Sequence, residues 1–214
     1  MIFIICATGS SVNGLDWEKL TQYKTIGFNQ FFRKGIPTDY YYIYDKMCIL
    51  RENPNFTTVL NEWPGTTFFI DKRVPLPDKF RKNTNIVRTI SCSVTKEEIA
   101  RFDKHWAKTI DDELYINKSS VTATINLAHI FGASDIYIAG LDGYGGYFYP
   151  HKKNRYETRL HDSLIHYPKY GTLARSLKHI IEHLKDNHIN VYSLNPKSFF
   201  VQKKIMTFKM PWEE

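Results

Sequence analysis

Cysteine is scarce: Cys6, Cys48 and Cys92 are the only three in 214 residues. They lie far apart with no CxxC spacing, so neither a disulfide framework nor a zinc site is indicated, and they read as reduced core or near-core thiols. No stretch approaches the roughly 20 apolar residues that a membrane span needs. The opening apolar run has neither a basic leader nor a small-residue cleavage site, so a cytoplasmic protein is expected. Repeats, low-complexity tracts and evident linkers are also missing, which makes a single α/β domain over residues 1–214 the expectation. Neither a GxGxxG nor a GxxxxGKS/T phosphate loop occurs.

Positive charge and aromatic rings are plentiful. Lys and Arg number 29 against 22 Asp and Glu, a net charge of +7. That balance favours an anionic partner: a nucleotide, a nucleic acid or an acidic membrane surface. There are 14 Tyr, 14 Phe and 4 Trp, and several tyrosines fall in apparent loops. There a flat ring with a hydroxyl suits a sugar, a base or a phosphate.

Ile2 to Cys6 is an unbroken apolar, mostly β-branched run, the pattern of a strand buried on both faces of a parallel sheet. It stops at Ala7-Thr8-Gly9-Ser10-Ser11. Such a turn either aims backbone N–H groups at a phosphate or is an ordinary tight strand-to-helix connection. A second strand over Thr25–Phe28 ends at Asn29-Gln30, whose amides can read a base or ribose or cap a turn. A third, within Asp39–Asp45, ends at Asp45. In parallel sheets ligands gather at these carboxyl ends. Thr66–Ile70 and Asn85–Ile90 are further strands, and Thr95 to Glu98 has the pattern of a helix capping box. The basic stretch Asp71–Asn83 reads as a surface loop, whose Lys72, Arg73, Lys79, Arg81 and Lys82 either meet phosphates or, the favoured reading, are solvated. Asp111-Asp112-Glu113 reads as an exposed acidic turn, with no further metal ligands at a convincing spacing.

Ser119–Phe131 reads as a helix buried against the sheet, with Thr122, Asn126 and His129 as a narrow polar stripe and Ser119 and Ser120 at its start. A buried strand, Asp135–Gly140, then delivers Asp142 and Tyr144 to its end. The segment at about 143–170 is long and rich in Tyr, His and Lys, as expected of an active-site lid. An amphipathic helix around Leu173–Leu184 and a strand over Ile189–Leu194 follow.

The order of these motifs resembles that of the bacterial sialyltransferases that build lipooligosaccharide, and of small nucleotide-sugar enzymes related to them. The residues that carry the resemblance are Gly9-x-Ser11 with Leu15-Asp16; Asn29-Gln30-Phe31; Tyr44-Asp45; the block from Ile116-Asn117 to Gly140-Leu141-Asp142 with Tyr144; and Val191-Tyr192-Ser193-Leu194-Asn195-Pro196-x-Ser198. They span most of the chain. The resemblance implies a Rossmann-like domain, a GT-A variant with a mostly parallel sheet, that transfers a sugar from a UDP- or CMP-sugar co-substrate without a bound metal. By position, Gly9, Ser10, Ser11, Asn29, Gln30, Asp45 and Asp142 would hold the nucleotide and its ribose, and Ser119 and Thr122 would face the phosphate or sugar. Tyr144, with Tyr147 or Tyr149, would donate to the leaving phosphate. A lid histidine, His166 or alternatively His161, would be the general base.

Two features depart from that family. Ser119 stands where the sialyltransferases carry an arginine, which suits the carboxylate of sialic acid, so a neutral sugar becomes an option. The C-terminal Met210–Glu214 replaces a basic, membrane-associating tail. The net charge and basic loops favour a polyanion, and the compact Lys/Asn/Tyr/Phe-rich sequence resembles phage enzymes, which implies a hydroxymethylated base of phage-type DNA as the acceptor, flipped from the stack. Transfer to a surface oligosaccharide is the alternative. Mg²⁺-dependent phosphoryl or pyrophosphoryl transfer through Asp45 and Asp142 is another, and a nucleic-acid-binding module without catalysis a third.

Overall fold

A computed structural model describes residues 1–45, 59–81, 84–91, 105–117, 119–143, 146–148 and 168–213. The strands in chain order are β1 (Ile2–Cys6), β2 (Lys24–Phe28), β3 (Tyr40–Ile43), β4 (Thr67–Asp71), β5 (Asn85–Val87), β6 (Thr89–Ser91), β7 (Leu114–Ile116), β8 (Asp135–Ala139), β9 (Asn190–Ser193) and β10 (Thr207–Phe208). Eight of them form one sheet in the order β10-β9-β8-β1-β2-β3-β4-β5. Every neighbouring pair in it is parallel. This is an α/β sheet of Rossmann-like type.

The central strands are apolar on both faces because both faces are covered. Along β1, Phe3 and Ile5 enter one core cluster and Ile4 and Cys6 the other. The same alternation assigns Tyr42 to the first cluster and Tyr41 and Ile43 to the second, as the two-residue period of a strand requires. Helices Ser120–Ile130 and Pro168–Asp186 contribute Val121, Ile125, Leu177 and Leu184 to the first layer. Val12, Leu20, Phe31 and Trp63 build the second. Cys6 is a free thiol with no exposure, and burial, with Asp39 adding to it, pushes its pKa far up. It is a core residue.

The run Asn85–Ile90, expected as one strand, is two. Val87 still belongs to the main sheet edge and its carbonyl accepts from Lys72 N–H at 2.9 Å, whereas the carbonyl of Arg88 accepts from Leu114 N–H at 2.8 Å. From there β6 pairs with β7 in a separate two-stranded parallel sheet. The stretch after the acidic turn is thus a strand that sequence pattern missed; its three residues are too few to show a period.

The polar stripe on the buried helix ties this small sheet down. Thr122 Oγ1 accepts from Asn117 N–H at 2.9 Å. Asn126 Oδ1 accepts from the N–H groups of Ala107 and Tyr115, both at 3.2 Å, and its Nδ2 donates to Ala107 O at 2.8 Å. His129 Nδ1 accepts from Trp106 Nε1 at 2.6 Å, with the two rings stacked at 6.0 Å. Thr122 and Asn126 satisfy strand and loop backbone groups, and His129 the Trp106 indole N–H, that would otherwise be buried without partners.

Burial first, and the neighbouring His183 second, lower the His129 pKa, so the folded state binds its proton less readily than the unfolded chain. The stabilising contribution is complete above the unfolded value of about 6.5 and is lost as pH falls from there through the folded-state value. Thermal melting between pH 8 and 5 is expected to show a drop in midpoint that is smaller in His129→Gln; equal drops would contradict the assignment.

Candidate functional site

The order in which strands are added reverses beside β1. From β1 the chain moves outward through β2, β3, β4 and β5, while β8, β9 and β10 lie on its other side. In open parallel sheets such a switch opens a crevice at the carboxyl ends of the two diverging strands. Here those ends are Ala7–Ser11 after β1 and Gly140–Asp142 after β8.

Asp142 clamps the crevice. Its carboxylate is 4% exposed. It accepts from Ser11 N–H at 2.9 Å, from Ser11 Oγ at 2.5 Å and from Asn195 Nδ2, beyond β9, at 2.8 Å. The Asp142 carbonyl accepts from Phe199 N–H at 2.8 Å. One residue therefore joins the loops after β1, β8 and β9. Gly9 fits beneath it, and a Cβ there would stand 2.4 Å from Asp142 Oδ2 and 2.5 Å from Gly140 O. Its φ of −68° suits any residue, so the demand for glycine is steric.

The N–H groups of this turn do not aim outward at an anion. Gly9 N–H donates to Gly140 O at 2.8 Å, Ser10 N–H to Gly146 O at 3.2 Å and Ser11 N–H to Asp142. The turn is a knot that shapes the crevice; a phosphate cradle built on its backbone is not what the geometry gives. The start of the expected lid is tied to it: Gly9 and Tyr147 form an antiparallel bridge, and Phe148 N–H donates to Thr8 O at 3.1 Å. The Tyr147 side chain lies at the surface beside Gly9, 44% exposed. Tyr144, Tyr149, His161 and His166, and most of the segment at 143–170, lie outside the described residues. Residues 168–170 belong to the Pro168–Asp186 helix.

The next strand end is organised by Asn29. Its φ is +49°, a left-handed conformation that asparagine tolerates better than most side chains. Its Nδ2 donates to Ser120 Oγ at 2.9 Å, at the start of the Ser120–Ile130 helix. Its Oδ1 faces the N–H groups of Tyr44 and Asp45 at 3.4 and 3.5 Å. The buried Tyr41 hydroxyl accepts from Phe32 N–H at 2.6 Å and donates to Asn29 O at 2.9 Å, holding that backbone from below. Asn29 thereby brings the β2 end, the β3 end and a helix N-terminus together.

Gln30 Oε1 accepts from Arg33 Nε at 2.7 Å, and Asp45 is exposed. Ser119 caps the helix by accepting from Val121 N–H at 3.4 Å. Thr122, expected to face phosphate or sugar, has no exposure, and its hydroxyl donates to Ser119 O at 2.8 Å while accepting from Asn117. It supports the turn before the helix and reaches no ligand itself. The helix N-terminus beside Asn29 keeps the positive end of an 11-residue dipole at this edge.

A residue pair read as loop charge completes the row. Asp71, the last residue of β4, is a fully buried carboxylate gripped by Arg73: Nε donates to Oδ1 at 2.6 Å and Nη2 to Oδ2 at 3.2 Å. Thr89 Oγ1 donates to Oδ2 at 2.6 Å. Burial would push the Asp71 carboxyl up, yet the bonds from Arg73 and Thr89 outweigh it and hold it below the usual carboxylate range. The signal in sequence was the Asp-x-Arg spacing at a strand end, masked by the lysines around it.

Among solved structures, the chain is similar to the sialyltransferase Cst-II in complex with a trisaccharide acceptor and CMP: 14% identity, TM-score 0.58, covering 100% of this chain and 88% of that one. The chain has a sialyltransferase-like fold. It is also similar to the monofunctional α-2,3-sialyltransferase Cst-I from Campylobacter jejuni, at 15% identity, TM-score 0.56, 98% of this chain and 80% of that one. No family model matches the sequence, and no curated protein matches it either. At these identities the likeness establishes the fold, so roles have to be argued from the residues.

Asp142→Asn tests the clamp. An amide at this position sets an NH₂ donor against Ser11 or Asn195, which are themselves donors. A loss of about 1–3 kcal/mol is expected, or a fall of roughly 2–12 °C in the melting midpoint at 2–4 °C per kcal/mol. An unchanged midpoint would show that the clamp contributes nothing.

Proposed function

We propose that this protein is a glycosyltransferase that moves a sugar from a CMP-type nucleotide sugar to a hydroxyl of an oligosaccharide acceptor. The observation that carries the reading is the crevice at the topological switch beside β1, in a fold shared over nearly the whole chain with enzymes crystallised with CMP. All 214 residues are assigned to one such domain, with a lid at about 143–170.

Gly9 and Ser11 shape the nucleotide side of the crevice and Asn29 fixes the strand ends that line it, while Ser10, Gln30 and Asp45 offer side chains along it. Ser119, at the helix N-terminus, and Tyr144, Tyr147 and Tyr149 stabilise charge on the departing phosphate. Fixed donors and a helix dipole can do so in a water-poor site without reorganising. A lid histidine, His166 or His161, takes the proton of the acceptor hydroxyl as general base.

A DNA-base acceptor rested on net charge and basic loops, and neither the geometry nor the neighbours support it. The neighbouring Cst-II binds a trisaccharide. Phosphoryl transfer through Asp45 and Asp142 is disfavoured because both Asp142 oxygens are occupied by Ser11 and Asn195. Among the described residues no three His, Cys, Asp or Glu side chains gather as metal ligands.

Thermal melting with CMP, UDP, GDP and ATP, each with and without Mg²⁺, tests the reading. A ligand at about 100 times its dissociation constant stabilises by about 2.7 kcal/mol. CMP is expected to raise the midpoint by several degrees independently of Mg²⁺. A shift with ATP or GDP that requires Mg²⁺, and none with CMP, would overturn the assignment.

A further inference from the structure

The contacts at the carboxyl edge form an unbroken row: Ser120 to Asn29, Asn29 to Tyr44, Tyr44 to Arg73. Arg73 sits at its outer end. Its guanidinium lies over the Tyr44 ring at 4.6 Å from the centroid, and its Nε and Nη2 are fixed on the buried Asp71 carboxylate. Nη2 also contacts Thr89 Oγ1. Three sides of the group are thus held, yet the side chain remains 47% exposed. An arginine needed only to neutralise Asp71 has no reason to keep an open, immobilised face at a sheet edge where polar groups converge. Asp71 takes the Nε–Nη2 edge and Thr89 the other side of Nη2, so Nη1 is the nitrogen turned to an incoming carboxylate oxygen, and its place is set before the ligand arrives.

The position within the sheet indicates what part of a substrate would reach it. β4 is three strands from β1, roughly 14 Å at the usual strand spacing. A nucleotide held in the crevice beside β1 would leave Arg73 at the sugar end of the row. The chain carries serine, not arginine, at the start of the buried helix, so Arg73 is the cation that the contacts of this row hold in place among the described residues.

We propose that Arg73 is a specificity-determining residue that pairs with a carboxylate on a sugar substrate, with Asp71, Thr89 and Tyr44 as its positioning residues. This deepens the glycosyltransferase reading and rests on it for the identity of the site, although the pairing itself is measurable without turnover. The carboxylate belongs either to the transferred sugar or to the acceptor.

Calorimetric titration separates these sources. One arm compares CMP-N-acetylneuraminate with CMP. The other compares sialyllactose with lactose on the CMP-loaded protein. The wild type is expected to favour the carboxylated member of one pair by about tenfold or more, the scale of one hydrogen-bonded charge pair. Arg73→Met abolishes that preference while leaving CMP affinity within about twofold, and Arg73→Lys retains part of it. Removing the arginine alone strands a buried carboxylate and can prevent folding. Asp71→Asn with Arg73→Met removes both charges together and gives the same reading. Equal affinities within both pairs in the wild type, or a preference that survives loss of Arg73, would overturn the proposal. Failure of CMP to bind, with a carboxylate preference for sialyllactose that still depends on Arg73, would instead sink the nucleotide assignment and leave Arg73 standing.

Discussion

The Asp142 carboxylate determines the shape of this protein's crevice. It is buried, and it ties Ser11 after β1 and Asn195 after β9 to the end of β8, its own strand. Each bond replaces one that water would otherwise make, and a buried carboxylate without them would be costly. The need for glycine at position 9 follows from where one of those oxygens and the Gly140 carbonyl lie, and the main-chain carbonyl of the same residue seats Phe199. The crevice is therefore preformed by the chain's own hydrogen bonds.

Charge along the edge is arranged by the same economy. Asn29 accepts a left-handed backbone in order to bind the helix start and face the β3 end. Asp71 is buried in order to aim Arg73. In each case one side chain satisfies the chain inward and leaves its neighbour presented outward. Polar groups offered at a strand end thus divide into supports, such as Asp142 and Thr122, and groups open to a ligand, such as Arg73.

That division limits what the sequence could reveal. Strands such as Ile2–Cys6 and Asp135–Ala139 were legible because both-face burial leaves continuous apolar runs, and their polar ends located the edge. Ser119–Phe131 was legible as a buried helix, although its polar stripe gave no hint that it holds a second small sheet. Three-residue strands carry no period, so β6 and β7 were hidden, and the switch of sheets at Arg88 depends on tertiary partners alone. Asp142 was visible as a polar residue near the site, but that its oxygens face a neighbouring loop is decided by Ser11, more than a hundred residues away, while Thr122 turns inward to the local backbone of Asn117 and Ser119. Arg73 was masked for the opposite reason: its basic surroundings look like solvated loop, and only the burial of Asp71 sets it apart.

The most direct test of the crevice as the nucleotide site is hydrogen–deuterium exchange of the full chain with and without CMP. Protection is predicted in peptides covering Gly9–Ser11, Asn29–Gln30 and Ser119–Ser120, with none around β5 or β10 at the sheet edges. Protection confined to other segments, with these three unchanged at saturating CMP, would contradict the account.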